Sequence, residues 1–319
     1  MPLDAAILLC LLVAAPLAAA LLLATLLFRA LARRRGWMPP DLRSWMDRPA
    51  AWISSGVTLL VFAAAAAYGG LIERDWVEMT RIDIPAGRAV LGHARFRIAH
   101  LSDLHLERLG RRERRVIEAV RAARPHLVLL TGDCMNRREA GGELRAFLEL
   151  LRAEAPFGVF GVPGHRDMKF PVRDIFARAG ARLLEDDTHL LTGSGRPLRL
   201  VGGSIYPGRP LRELLSGLED DAFTIYLHHS PDGVDELALR DPGQRVDLSL
   251  CGHTHGGQVC LPFWGAILTF SRHHKRYEWG FYRVGDVPMY VNRGVGTEGV
   301  PVRFLARPEA AIVDLVADD

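Results

Sequence analysis

Cysteine is scarce in this 319-residue chain: Cys10, Cys134, Cys251 and Cys260, with no C-x-x-C pair. Cys10 lies inside an apolar stretch, so neither a disulfide framework nor a zinc knuckle fits, and the redox compartment cannot be read from these residues. An excess of charge of one sign is also missing. Forty Lys and Arg against 37 Asp and Glu leave a formal net charge of +3, and no basic patch is interleaved with aromatics. That argues against nucleic acid as a partner. Internal repeats are absent, as is low-complexity sequence outside one Ala-rich run, and nothing points to an obligate protein partner. A 49% hydrophobic content suffices for one large domain plus extra segments.

Long apolar runs are present, both near the start. Ala5 to Phe28 is broken only by Pro16 and Thr25. As a helix it is long enough to cross a hydrocarbon core of about 30 Å. The preceding Met1-Pro2-Leu3-Asp4 lacks a basic n-region, which favours an uncleaved anchor over a secretory signal. Trp52 to Ile72 is a second candidate span, Ala-rich from Ala63 to Ala67, with a buried soluble helix as the competing reading. Between the two stand Arg29, Arg33, Arg34, Arg35, Arg43 and Arg48; after the second come only Arg74, Arg81 and Arg88 over a comparable distance. The positive-inside rule puts the short connection in the cytoplasm and the C-terminal part outside it, although Arg95, Arg97 and later arginines blur the asymmetry. The expected organisation is a multi-pass anchor in the cell (inner) membrane over residues 1–94, then a domain over 95–319.

From Phe96 the pattern changes. Phe96–Leu101, Leu127–Thr131 and Phe157–Val162 read as strands. Between them, Arg111–Arg124 carries Val116, Ile117, Val120 and Ala123 at helical spacing and stops at Pro125, and Glu143–Leu151 reads as another helix. The alternation implies an α/β layered core with parallel pairing. Further strands are expected at 198–202, 223–227, 246–251, 279–284, 289–292 and 311–316. Two packed sheets with helices outside follow, in one domain.

Polar residues fall in a regular place. Asp103 and His105, then Asp133, then His165, then His228 and His229, then His253 and His255 each follow an apolar strand at its C-terminal end. That edge is where ligands bind in open α/β sheets. Two divalent ions about 3.5–4 Å apart hold a phosphoryl oxygen and generate a hydroxide nucleophile, provided an anionic ligand bridges them. Asp133 suits the bridge. Asp103, His105 and His255 would hold the first ion, and His229 and His253 the second. His228 reads as a core, supporting or substrate-contacting residue. Mixed imidazole and carboxylate ligation suits Mn, Fe, Zn or Co better than Ca.

The blocks Asp103-Leu104-His105, Gly132-Asp133, Gly164-His165-Arg166-Asp167, Leu227-His228-His229-Ser230-Pro231 and Gly252-His253-Thr254-His255 resemble, in order and spacing, those of the calcineurin-like metallophosphoesterases. The tail, Asn292 to Thr297, Pro301 to Phe304 and Pro308-Glu309, together with Gly256-Gly257-Gln258 and Leu261-Pro262-Phe263, is similar to a membrane-anchored branch that includes UDP-2,3-diacylglucosamine hydrolase-like proteins. The resemblance covers roughly residues 95–316. It implies a four-layer αββα sandwich, a dinuclear site, and hydrolysis of phosphomonoesters, phosphodiesters or pyrophosphates by a hydroxide bridging two metal ions. It suggests a lipid-linked or small-molecule phosphate ester as substrate, UDP-2,3-diacylglucosamine-like in its most specific form. Such a nucleotide lipid is met on the cytoplasmic side, in conflict with the arginine asymmetry.

One block departs from the family's Gly-Asn-His-Asp. Without gaps, the ligating Asn becomes His165 and the His near the leaving group becomes Arg166. His165 can still ligate. Arg166 cannot serve as a general acid near neutral pH, but it can hydrogen-bond a phosphate. A one-residue slip would instead give His165 the histidine role. A catalytically weakened protein that binds a phosphate ligand or partner is therefore the alternative function. Two further stretches keep two readings each. Arg108, Arg111, Arg112, Arg114 and Arg115 form a solvated face or attract anionic lipid. Leu261 to Leu268, followed by Arg272, His273, His274, Lys275 and Arg276, is core packing or an apolar lip with a cationic rim.

Overall fold

The computed structural model describes residues 3–39, 48–206, 211–215, 221–240 and 246–318; Arg43 of the expected cationic connection lies outside them. The chain divides into two compact units, Met1–Ile72 and Glu73–Asp319.

The first unit holds two helices, α1 (Leu3–Arg34) and α2 (Pro49–Leu71). At 1.5 Å per residue, the 23 residues of α2 reach about 34 Å, enough to span a bilayer core. Three hydroxyls are satisfied within their helices: Thr25 Oγ1 donates to the Leu21 carbonyl at 2.8 Å, and Ser54 and Ser55 Oγ donate to that of Ala51 at 3.2 and 2.8 Å. Side chains such as Leu17, Leu21, Phe28, Ile53, Leu60 and Leu71 remain exposed. A run of outward apolar side chains fits an apolar surrounding better than water.

The second unit begins at Glu73, earlier than the 94/95 boundary read from the sequence. The reason is an additional strand. In chain order the strands are β1 (Glu78–Gly87), β2 (Arg95–Leu101), β3 (Leu127–Thr131), β4 (Val159–Val162), β5 (Arg182–Leu183), β6 (Asp187–Leu191) and β7 (Leu198–Gly202). Then come β8 (Phe223–Leu227), β9 (Leu248–Cys251), β10 (Cys260–Leu261), β11 (Gly265–Ala266), β12 (Gly280–Val284), β13 (Val287–Val291) and β14 (Glu309–Ala317). The helices are α3 (Arg111–Ala123), α4 (Gly141–Glu154), α5 (Val172–Arg178), α6 (Leu211–Leu215) and α7 (Pro231–Arg240).

Two six-stranded sheets form, in the orders β1-β14-β2-β3-β4-β5 and β12-β13-β9-β8-β7-β6. β1 runs parallel to β14 from Glu78 opposite Glu309, which makes residues 78–87 part of this domain. β2 to β5 are parallel, as are β13, β9, β8 and β7. β3 and β4 are buried on both faces and read as continuous apolar runs, as parallel strands do.

Packing makes four layers. Phe96, Ile98, Leu127, Leu129 and Val313 of one sheet meet Leu198, Leu200, Phe223, Ile225 and Leu250 of the other. On the outer face of the first sheet, Val116 and Val120 of α3, Leu144, Phe147 and Leu151 of α4 and Phe176 of α5 cover Ala99, Leu101, Val128 and Leu130. The second sheet turns Val201, Tyr226, Cys251, Met289 and Val291 toward Leu214 and Leu215 of α6 and Val234 of α7. The architecture is the expected αββα sandwich. β2, β3 and β4 in one sheet and β8 and β9 in the other all end in the Asp- and His-bearing turns.

Candidate metal centre

These turns are not ordinary loops. Asp103, His105, Asp133, His253 and His255 all have positive φ, between 42° and 70°. Each left-handed non-glycine residue costs of order 1–3 kcal/mol, and such strain gathers at functional sites. It also explains why i and i+2 neighbours leave a strand end without simply facing opposite ways. Gly252 is needed for a close approach: a Cβ there would sit 1.9 Å from Ser102 Oγ and 2.3 Å from Asp103 Oδ2. Without it, the His253 N–H donates to Asp103 Oδ2 at 2.9 Å and ties the two strand ends together.

Three overlapping groups result. Asp103, His105 and His255 form one, His165, His229 and His253 a second, and Asp103, Asp133 and His229 a third, with ligand atoms within 4.8 Å of one another in each. His105 Nε2 lies 3.1 Å from His255 Nε2, which is 3.5 Å from Asp103 Oδ1. His229 Nε2 lies 3.2 Å from His253 Nδ1. Asp133 Oδ2 stands between the groups, 3.7 Å from His105 Nε2 and 3.6 Å from His229 Nε2. His165 lies in the second group, beside His229 and His253. His228 is in none of the groups: its Nδ1 is 2.7 Å from the Ser230 carbonyl and its ring lies beside Tyr226.

The tautomers show what these atoms face. His229 Nδ1 can only donate to the Thr131 carbonyl, at 2.7 Å, and His253 Nε2 only to the Phe270 carbonyl, at 3.2 Å. In neutral rings, the nitrogens that face each other are both lone pairs, an arrangement that calls for a cation between them. Asp103 Oδ1 is buried without a hydrogen-bond partner among the described residues. A buried carboxylate oxygen left unpaired is costly unless a cation takes it up. The donor set therefore fits divalent metal.

Electrostatics agrees. Burial raises the Asp103 carboxyl. At Asp133 burial opposes ionisation, but His229, His105 and the Arg166 N–H overcome it and hold the carboxyl below its ordinary value. Burial likewise disfavours a charged His229, yet the carboxylates of Asp133 and Asp103 raise its pKa. Burial, helped by His229 and His165, lowers His253 to about 3 and keeps it neutral.

Much of the support went unassigned in the sequence. Asn136 Oδ1 accepts from His105 Nδ1 at 2.6 Å and aims Nε2 inward. Arg303 is fully buried and donates to the carbonyls of Gly294, Gly296 and Ala306, with His255 Nδ1 at 3.4 Å. Its pKa falls to about 9 through burial. It holds the tail against the first group, where a Cβ on Gly296 would come 2.4 Å from the Leu104 carbonyl and 2.7 Å from His105 Cβ. Arg303 stood in the similar tail block with no role; Asn136 gave no signal. His100 is buried in β2 with Nε2 on Thr131 Oγ1 at 2.9 Å, and burial lowers it to about 3. Phe263 and Trp264 are exposed, while Ala266 and Ile267 are buried.

The pattern of the calcineurin-like phosphoesterases matches residues 96–257. The chain belongs to this family. It is a metallophosphoesterase, a hydrolase, and its Asp and His groups could hold the divalent metal typical of the family. This calcineurin-like phosphoesterase is 32% identical over 258 residues to a metallophosphoesterase of Bacillus subtilis (strain 168), YkuE, over 78% of this chain and 88% of that one. It is 28% identical over 271 residues to the phosphodiesterase YaeI of Escherichia coli (strain K12), over 81% of this chain and 96% of that one. A transmembrane protein with a metallophosphoesterase domain from Danio rerio is 26% identical over 277 residues, 79% of this chain and 60% of that one.

Proposed function

We propose that this metallophosphoesterase is membrane-anchored and hydrolyses a phosphodiester or pyrophosphate bond of a lipid or lipid-linked nucleotide at a centre of two divalent ions. The observation that carries this reading is Asp133 Oδ2, placed almost equally from His105 Nε2 and His229 Nε2. One ion would sit with Asp103, His105 and His255, the other with His165, His229 and His253, and Asp133 would join them. Mn, Fe, Zn and Co all suit these donors. Divalent ions there would polarise a phosphoryl oxygen and lower the pKa of water.

The chain's own residues would orient and neutralise. The backbone N–H of Arg166 donates to Asp133 Oδ1 at 2.7 Å and fixes the shared carboxylate. Its guanidinium is paired with Glu298, which raises a pKa that is already very high, so it donates no proton to a leaving group. Arg166 would therefore act by hydrogen bonding to a phosphoryl oxygen through the N–H groups that Glu298 leaves free, which suits esters with good leaving groups. Likeness to a phosphodiesterase supports a diester substrate. Two helices long enough to span a membrane, likeness to a transmembrane relative, and exposed Phe263 and Trp264 support a lipid-linked one. A UDP-2,3-diacylglucosamine-like substrate rests on the resemblance of the tail block alone, and the arginine count, which puts the domain outside the cytoplasm, runs against it.

The test is hydrolysis of bis(4-nitrophenyl) phosphate with Mn²⁺ by the full chain in detergent, beside Asp133→Asn. We expect a loss of about 10³-fold or more in the variant, several kcal/mol of transition-state stabilisation. Equal rates would sink the enzyme reading and favour a phosphate-binding scaffold, the alternative that Arg166 raises.

A further inference from the structure

Glu298 belongs to none of the sequence blocks, yet it touches the centre. Its Oε2 is 3.4 Å from His105 Nδ1 and 3.2 Å from Arg166 Nε, and Oε1 meets Arg166 Nη2. The pairing is a two-pronged fork, the geometry that guanidinium and carboxylate share. It is fixed from both ends. The Glu298 N–H donates to Gln258 Oε1 at 2.7 Å, and Gln258 Nε2 donates to the Glu298 carbonyl at 3.0 Å. Gln258 in turn donates its N–H to the His255 carbonyl at 3.0 Å. At the other end, Arg166 is held by its N–H on Asp133. The pair thus hangs between the shared carboxylate and the turn that carries His255.

Charge gives this fork a consequence. Near neutral pH a phosphomonoester is largely dianionic, since its second pKa is about 6, whereas a phosphodiester carries one charge. An unpaired arginine beside the centre would favour the doubly charged group. A carboxylate locked onto it cancels that preference while leaving three of the five guanidinium N–H donors for a phosphoryl oxygen. We infer that Glu298 is a specificity-determining residue that neutralises Arg166 and so turns the site toward singly charged phosphodiesters and away from phosphomonoesters. This rests on the phosphodiesterase reading above.

The full chain in detergent with Mn²⁺ tests it. kcat/KM is measured for 4-nitrophenyl phosphate and bis(4-nitrophenyl) phosphate, and binding of orthophosphate and dimethyl phosphate by calorimetry, with metal content counted in each variant. Glu298→Gln should raise the monoester-to-diester ratio about tenfold or more and tighten orthophosphate relative to dimethyl phosphate. Arg166→Gln, which leaves Glu298 uncompensated, should move both ratios the opposite way, and the double variant should return near the wild type. Glu298→Asp, which keeps the charge, should also stay near it. If Glu298→Gln and Arg166→Gln each scale both esters and both ligands alike, Glu298 has no such role. A wild type that turns over neither ester sinks the phosphodiesterase reading, and the two binding ratios still decide for or against Glu298.

Discussion

Asp103, His105 and His255 are all buried, whereas in the other group His229 is buried, His253 half-buried and His165 exposed. Their backing differs as well. Behind the first group lie the Asn136 amide, the Ser102 hydroxyl on Asp103 at 2.6 Å, and the tail strapped by Arg303. The second group leans on two backbone carbonyls, those of Thr131 and Phe270, and its third member stands on a surface turn. A ligand set that is buried throughout holds an ion more tightly than one with a member exposed to solvent, because desolvation strengthens the charge–ligand contact. On the two-ion proposal, the first seat is expected to be the tighter and slower to exchange, and the second the one open to solvent.

Removing the support of the first seat should give the largest effect. Asn136→Ala frees the His105 ring to turn and to change tautomer. Loss of a partner of this kind lowers metal affinity about 10–100-fold. Titration with Mn²⁺ should show that loss in the tighter of two binding steps only. If the weaker step moved instead, the assignment of tight and loose seats would be reversed.

Protons should act on the second seat. Of its three histidines, burial lowers His165 and His253, and only His229 is raised above its ordinary 6.5, by the carboxylates of Asp133 and Asp103. A raised pKa means that His229 takes up a proton as pH falls, and the ion must displace it. Affinity at this seat should hold above that pKa and drop about tenfold per pH unit below it, with about one proton released per ion bound. Calorimetry in buffers of different ionisation enthalpy counts the proton. A pH-independent weaker step between pH 7.5 and 5.5 would show that His229 is not its ligand.

How much of this could be read in advance follows from where each residue sits. β2, β3, β8 and β9 are mostly apolar, and Asp103, Asp133, His229, His253 and His255 follow within four residues of their ends, so strand ends and ligands declare themselves together. β1 does not: it is a half-exposed edge strand containing Arg81, Asp83 and Pro85, and its place is set by β14 across most of the chain. Asn136, Glu298 and Arg303 act across loops or through main-chain carbonyls, contacts that exist only once the chain has folded. Left-handed φ at Asp103 and His105 is invisible for the same reason, since no glycine marks those positions.

The smallest effect separates the exposed member from the rest. His165 is the only exposed residue of the second group, and its ring stacks loosely near His253, with centroids 4.8 Å apart. Desolvation strengthens a charge–ligand contact, so an exposed ligand contributes less than a buried one. His165→Ala should weaken the second binding step by less than about tenfold and leave the first untouched. His165→Asn keeps a ligating oxygen at a shorter reach and should recover part of that loss. Should His165→Ala abolish the second step outright, the exposed ring would be its main anchor, and the contrast between a backed and an open seat would have to be drawn elsewhere.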